Sequence, residues 1–230
     1  MANKLSNIKT LKINHLGRLS HDAAMTQMYE AHEQVLRGRS DGELLVVEHE
    51  PVITKGRRLK DHVIAFHEEI TKRQVVIRDV DRGGLLTFHG PGQIIVYFVL
   101  RVHDYFLGVR ELVSFLEEVL ITCLKEYGIA AKKHAEFPGV WVGDHKLASI
   151  GLRVTAGVTT HGISLNVNND LSIYKYFEPC GLSGEVMTNM ETVLGKPISR
   201  DAYETITKQL SSCFIDSLRT RDPELPRSYL

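Results

Sequence analysis

Two periods of apolar residues alternate along the chain, and each change of period marks a change of element. From residue 20 to 37, Ala24, Met25, Met28, His32, Val35 and Leu36 share one helical face, with Ser20 placed to cap the first turn and Gly38 to end the last. ELLVVEHEPVIT then predicts a strand broken at Pro51, QVVIRDV a second strand and QIIVYFVL a third. The third run is apolar at nearly every position, the pattern of a strand covered on both faces. From 109 to 127 the residues Leu112, Phe115, Leu116, Val119, Leu120, Cys123, Leu124 and Tyr127 form the strongest helical stripe, closed by Gly128. GVWVGDHKLASIGLRV and TTHGISLNVN follow as strand-like segments, with Gly143 and Asp144 marking a hairpin turn. A last helix, capped by Ser199, carries Tyr203, Ile206, Leu210, Phe214 and Leu218 on one stripe. No repeat, low-complexity tract or polar linker divides the chain. The pattern therefore predicts one α+β domain over residues 1–230, ending in a mobile tail at 219–230.

Composition narrows the partners. The 28 basic and 28 acidic residues cancel, so no global charge points to nucleic acid or to an anionic membrane. No apolar run approaches the ~20 residues of a membrane span, and MANKLSNIKTLKINHLG has neither an apolar signal core nor the Arg-rich helix of a transit peptide. A soluble cytoplasmic protein is the expectation. Cys123, Cys180 and Cys213 form no CxxC pair, and the 11 histidines include no HExxH, so neither a disulfide framework nor a metal site is expected. His62 and His67 sit in a charged segment without ligand spacing.

Four segments have the residues for chemistry, each with an ordinary reading beside the functional one. Cys123 and Cys213 lie on apolar helix stripes and read as inert small hydrophobes, whereas Cys180 lies in the turn-like FEPCGLSG. It is either an incidental loop cysteine or a nucleophile, which would need a nearby cation or base. Lys146 begins a strand, followed by the small residues Ala148, Ser149 and Gly151; it is either a solvated edge charge or that cation. His161 precedes Gly162 as His89 precedes Gly90, and either histidine could be a base or a hydrogen-bonded structural group. The loop DRGGLLTFHGPGQ matches neither GxGxxG nor the P-loop, but its backbone amides could form a cradle, with Arg82 at its edge. Lys55, Arg57, Arg58 and Lys60 make a local basic patch, either solvated surface or, beside a cleft, a site for a phosphate or an acidic protein partner.

In this order and spacing, RGGLLTFHGPGQ, KLASIGLRV, HGISLNVNNDL and PCG resemble the lipoyl(octanoyl) transferase family over roughly residues 10–215. The resemblance implies a mixed central sheet flanked by helices, the fold of the biotin/lipoate protein ligases within the class II aminoacyl-tRNA synthetase/biotin synthetase superfamily. It places the family's acyl-thioester cysteine on Cys180 and its lysine on Lys146. Substrate-binding positions fall on Arg82, Gly83, Gly84, Leu85, Leu86, Thr87, Phe88 and His89, on Ser149, Ile150 and Gly151, and on Gly162, Ile163 and Ser164. Leu85 and Leu86 depart from the shorter or more polar family side chains, and Phe88 replaces a common tyrosine. The implied reaction moves octanoyl from acyl carrier protein to a lysine of apo-lipoyl domains of 2-oxoacid dehydrogenases and the glycine cleavage H protein, by a monomer without cofactor or metal. The competing readings are an ATP-dependent lipoate-protein ligase and a non-catalytic acyl- or lipoyl-domain-binding module.

Overall fold

In the computed structural model, which describes residues 10–59, 68–177 and 183–221, the segment Gln93–Leu100 is a strand, β6, buried along its whole length. Its alternation sets the layering. Ile94, Val96, Phe98 and Leu100 enter one apolar cluster, while Ile95, Tyr97 and Val99 enter another. The first cluster is completed by helices α3 (Val109–Glu126) and α5 (Arg200–Arg219), the second by α1 (His21–Leu36). On α3, Leu112, Leu116 and Leu120 are fully buried; each such side chain contributes about 1.5–3 kcal/mol over leaving it in water.

Seven strands build the main sheet. They are β1 (Lys12–Leu19), β2 (Gly42–His49), β6, β10 (Val158–Asn166), β9 (His145–Thr155), β8 (Gly139–Val142) and β7 (Lys132–Lys133), in that spatial order. β1 runs parallel to β2 and the remaining neighbours are antiparallel. A second sheet places β3 (Val52–Lys55) between β4 (Val76–Asp79) and β5 (Leu86–His89). Two short helices, α2 (Glu68–Lys72) and α4 (Met190–Leu194), complete the set. This is the mixed sheet with flanking helices expected of the lipoate-ligase fold.

The helix ends follow the expected chemistry. Ser20 and Ser199 accept from the backbone N–H groups of Ala23 and Ala202, satisfying donors the first turn leaves open. The predicted strand ELLVVEHEPVIT is broken at Pro51, and its halves join different sheets. The glycine-rich loop likewise contains a strand, β5, but β5 and β6 do not pair: the Gly90–Gly92 turn passes the chain from the small sheet to the large one. Of the tail expected at 219–230, residues 219–221 are described. Arg219 closes α5, and Arg221 donates to Tyr105 O while stacking on Phe106 and Phe115; residues 222–230 lie outside the described residues. No helix among the described residues is long and apolar enough to cross a membrane.

Candidate active site

A cleft of about 560 Å³, mouth included, opens between the small sheet and the middle of the large one. Strand alternation selects its walls. On β5, Thr87 and His89 face the cleft, whereas Leu86 and Phe88 pack into the small-sheet core with Ile53 and Tyr174. The run expected as one binding segment is thus divided. Arg82, Gly83, Gly84, Thr87 and His89 line the cleft, while Leu85 offers its carbonyl to Arg82 and to the Gly56 N–H. Arg82 is buried, and its Nε and Nη2 donate to Thr54 and Leu85, so these donors fasten the loop to β3.

Ser149, Ile150 and Gly151 on β9 and Gly162, Ile163 and Ser164 on β10 face one another across paired strands and line the same cleft. A Cβ on Gly162 would lie 2.0 Å from Val96 O, so only glycine lets β10 approach β6 this closely. Lys146 lines the cleft too, although it stands an odd number of residues from Ser149 and Gly151. The reason is a register shift in the β8–β9 pairing: Val140 faces Ala148 but Trp141 faces Lys146, leaving Leu147 as the extra residue. Leu147 joins the core, and Lys146 turns to the cleft side. It is not an edge residue, because β9 lies between β10 and β8 and Lys146 is only 4% exposed. Its ammonium lies 5.7 Å from the centre of the Trp141 ring, a cation–π distance.

Cys180 lies outside the described residues. The chain on either side of it reaches the cleft's surroundings. Upstream, Tyr174 packs on Phe88 and lies 3.5 Å from the Thr87 hydroxyl; downstream, Met187 bridges to Lys146 and Thr188 N–H donates to Lys146 O at 3.0 Å. The other two cysteines match the inert reading in placement. Cys123 is buried in the α3–α5 core, and burial pushes its thiol up; Cys213 is half-buried beside it.

Several cleft groups were not marked by the sequence patterns: His21, Thr54, Val80, Ile95 and Tyr97. His49 stands behind them, its Nε2 2.6 Å from Tyr97 Oη and its ring 5.5 Å from His21 and 5.8 Å from His89. Burial lowers His21 and His49 to about 4 and holds His89 well below its ordinary value. His89 is fixed by Gln93 Oε1 at 2.8 Å, and Gln93 in turn by Asn166. These imidazoles are therefore neutral near pH 7 and make polar but uncharged walls. A tyrosine inside the apolar run QIIVYFVL was the signal available for Tyr97. His21 and His49 carried none, since they meet only in the fold.

His161 also lines the cleft, with its backbone in the left-handed region at φ 61°. That conformation costs a non-glycine residue about 1–3 kcal/mol. It interrupts the β6–β10 ladder, and Thr159 fills the gap: its Oγ1 accepts from Leu100 N–H at 2.9 Å and donates to Phe98 O at 2.6 Å. Burial lowers His161 even though the Asp81 carboxylate at 2.6 Å favours its charged form. Among the described residues, no group of three or more His, Cys, Asp or Glu side chains is placed to hold a metal ion.

A family model, the lipoyl protein ligase A/B catalytic domain, matches residues 21–211. The octanoyltransferase of Alkaliphilus metalliredigens is 40% identical over 190 residues, 82% of this chain and 87% of that protein. The octanoyltransferase of Chloroflexus aggregans is 37% identical over 222 residues, 92% of this chain and 97% of the relative. In three dimensions the chain is similar to a lipoate-protein ligase A bound with ATP, with a TM-score of 0.69 at 14% identity over 89% of this chain and 85% of that one. The last likeness bears on the fold.

Proposed function

The chain belongs to the lipoyl protein ligase A/B catalytic-domain family and, with its relatives, to the octanoyltransferases, an acyltransferase of protein lipoylation; we propose that it works through a covalent octanoyl–Cys180 intermediate. The observation that carries this reading is Lys146, a buried lysine turned by a bulge into a cleft whose imidazoles are neutral.

In the first step the Cys180 thiolate attacks the carbonyl carbon of an octanoyl thioester on acyl carrier protein. A C–S bond to Cys180 forms, the C–S bond to the donor breaks, and the donor thiolate takes a proton. One thioester replaces another, so little free energy separates the two. In the second step the amine of a lipoyl-domain lysine attacks the same carbonyl, Cys180 leaves as thiolate, and the amine loses a proton. An amide replaces a thioester, which makes this step downhill. The Lys146 ammonium favours the thiolate, gives the donor sulfur its proton and takes one back from the incoming amine. Gly83 and Gly84 leave room for an acyl or pantetheine chain beside the backbone, and Thr87, Ser149 and Ser164 offer hydroxyls along it. The acceptors of this reading are lipoyl-domain proteins such as those of 2-oxoacid dehydrogenases and the glycine cleavage system.

The acidic carrier protein would dock on Arg57 and Arg58, which are exposed on a 3-10 turn. That turn is tied to the cleft wall by Arg57 N–H to Arg82 O at 3.1 Å and Arg58 N–H to Gly84 O at 3.4 Å.

The test is incubation with octanoyl-acyl carrier protein and an apo-lipoyl domain without ATP. The expected result is an octanoylated lipoyl domain and, when the acceptor is withheld, an octanoyl mass increment on Cys180. No transfer without ATP defeats the reading. A Cys180→Ser variant with wild-type turnover defeats the thioester step.

A further inference from the structure

Asp81 does not line the cleft, yet it ties together three elements that build it. Its Oδ1 accepts from the Tyr29 hydroxyl of α1 at 2.9 Å and faces His161 Nε2 of β10 at 2.6 Å, while Oδ2 accepts from Arg153 Nη1 of β9. The residues that follow are the cleft wall. Arg82 is bound to Thr54 of β3, Gly83 N–H donates to Leu152 O of β9 at 3.1 Å, and Gly84 takes a positive φ of 88°. So glycine-rich a segment has little stiffness of its own, and its position is set by what holds its ends.

The ionised state of Asp81 suits this task. The hydrogen bond with His161 first, then that from Tyr29 and the charge of Arg153, hold its carboxyl well below the usual carboxylate range despite partial burial. An ionised carboxylate only accepts, so the His161 nitrogen facing it bears the proton. This sets the imidazole in its Nε2–H tautomer and holds the ring edge-on to Tyr97 at 6.1 Å. Asp81 thereby orients two cleft-lining groups without touching the cleft.

We propose that Asp81 is a positioning residue for octanoyl transfer: by gathering Tyr29, Arg153 and His161 it sets where the Arg82–Gly84 wall stands against β9 and β10. The kinetic consequence rests on the octanoyltransferase reading; the geometry of His161 and the binding of an octanoyl chain do not.

The experiment is Asp81→Asn, which keeps the shape and removes the charge. Three quantities are read: the His161 ring-nitrogen NMR signals, assigned by their loss in His161→Gln; the affinity for an unreactive octanoyl-pantetheine thioether; and KM against kcat for the octanoyl donor. The expected result is loss of the fixed Nε2–H signature, weaker thioether binding, and a KM raised by on the order of tenfold with a smaller change in kcat. Wild-type His161 signals together with wild-type thioether affinity overturn the proposal. If Asp81→Asn does not fold, Tyr29→Phe removes one partner and leaves the carboxylate. It is expected to weaken thioether binding to a lesser degree, and unchanged binding overturns the proposal. Wild-type protein that transfers no octanoyl defeats the proposed function, and in that event the His161 signals and thioether affinity still decide the role of Asp81.

Discussion

Gly139→Ala tests how far backbone geometry sets Lys146, the lysine of the proposed mechanism. Gly139 pairs with Ser149 and has φ 129°, a region that L side chains rarely adopt. A Cβ there would lie 2.3 Å from Ala148 O and 2.8 Å from Lys146 Cε. Ordinary contact begins near 3.4 Å, so roughly 1 Å must be found, and against Ala148 it must come from backbone. Overpacking of this kind costs about 1–3 kcal/mol, and the strained φ about 1–3 kcal/mol more. Together they remove a sizeable part of the ~5–15 kcal/mol that holds an average domain folded. The same displacement pushes the Lys146 stem away from its place over Trp141, and a 1 Å error in a reacting group can cost on the order of 100-fold in rate. Trp141 is the single tryptophan of the chain and lies beside both residues, so its fluorescence reports urea unfolding from the right place. ATP-free octanoyl transfer is measured in parallel at saturating donor, under conditions where the variant remains folded. The expected outcome is a lowered urea midpoint and a kcat reduced by at least about tenfold. Stability within about 0.5 kcal/mol of wild type with kcat within about twofold would refute the reasoning.

Acid should weaken the fold through the buried imidazoles. His21 and His49 titrate near 4 when folded against 6.5 in the free side chain, so between those values the unfolded chain binds protons that the folded one does not. Their effect is absent above about pH 6.5 and grows as pH falls toward 4, reaching on the order of 3 kcal/mol per imidazole; urea midpoints that stay level from pH 7 to 4.5 contradict this. For the proposed docking surface, Arg57→Glu with Arg58→Glu is expected to raise KM for octanoyl-acyl carrier protein and to flatten its salt dependence, while leaving KM for an octanoyl-pantetheine thioester unchanged. Equal effects on the two donors would place the arginines in the cleft rather than at the docking surface.

Much of the fold was legible because local chemistry announces element ends. Ser20, Gly38, Gly128 and Ser199 bracket stripes that became α1, α3 and α5, and QIIVYFVL became the strand buried on both faces. β1 was not read, since the irregularity between His15 and Gly17 breaks its alternation and half its side chains face water. β5 was hidden in a segment read as loop, because its four residues are too few to show a period between glycines. At the site, the segments expected to bind substrate converge on one cleft, with Leu86 and Phe88 turned into the small-sheet core. Tyr29, Asp81 and Arg153 were illegible as a group because their meeting joins residues as many as 124 positions apart.

The sequence by itself determined the three long helices, the strongly apolar strands, the zero net charge and the order of the four segments that carry the family likeness, because caps, periods and short motifs act within a few residues. Only the tertiary structure decided which way those residues face. The extra residue Leu147 turns Lys146 into the cleft, the Gly90–Gly92 turn sends β5 and β6 to different sheets, and the left-handed His161 opens a gap that Thr159 closes. The first depends on register within the β8–β9 hairpin, the other two on the pairing of strands distant in the chain. A shift of one residue there reverses a side chain, and no pattern within a single segment records it.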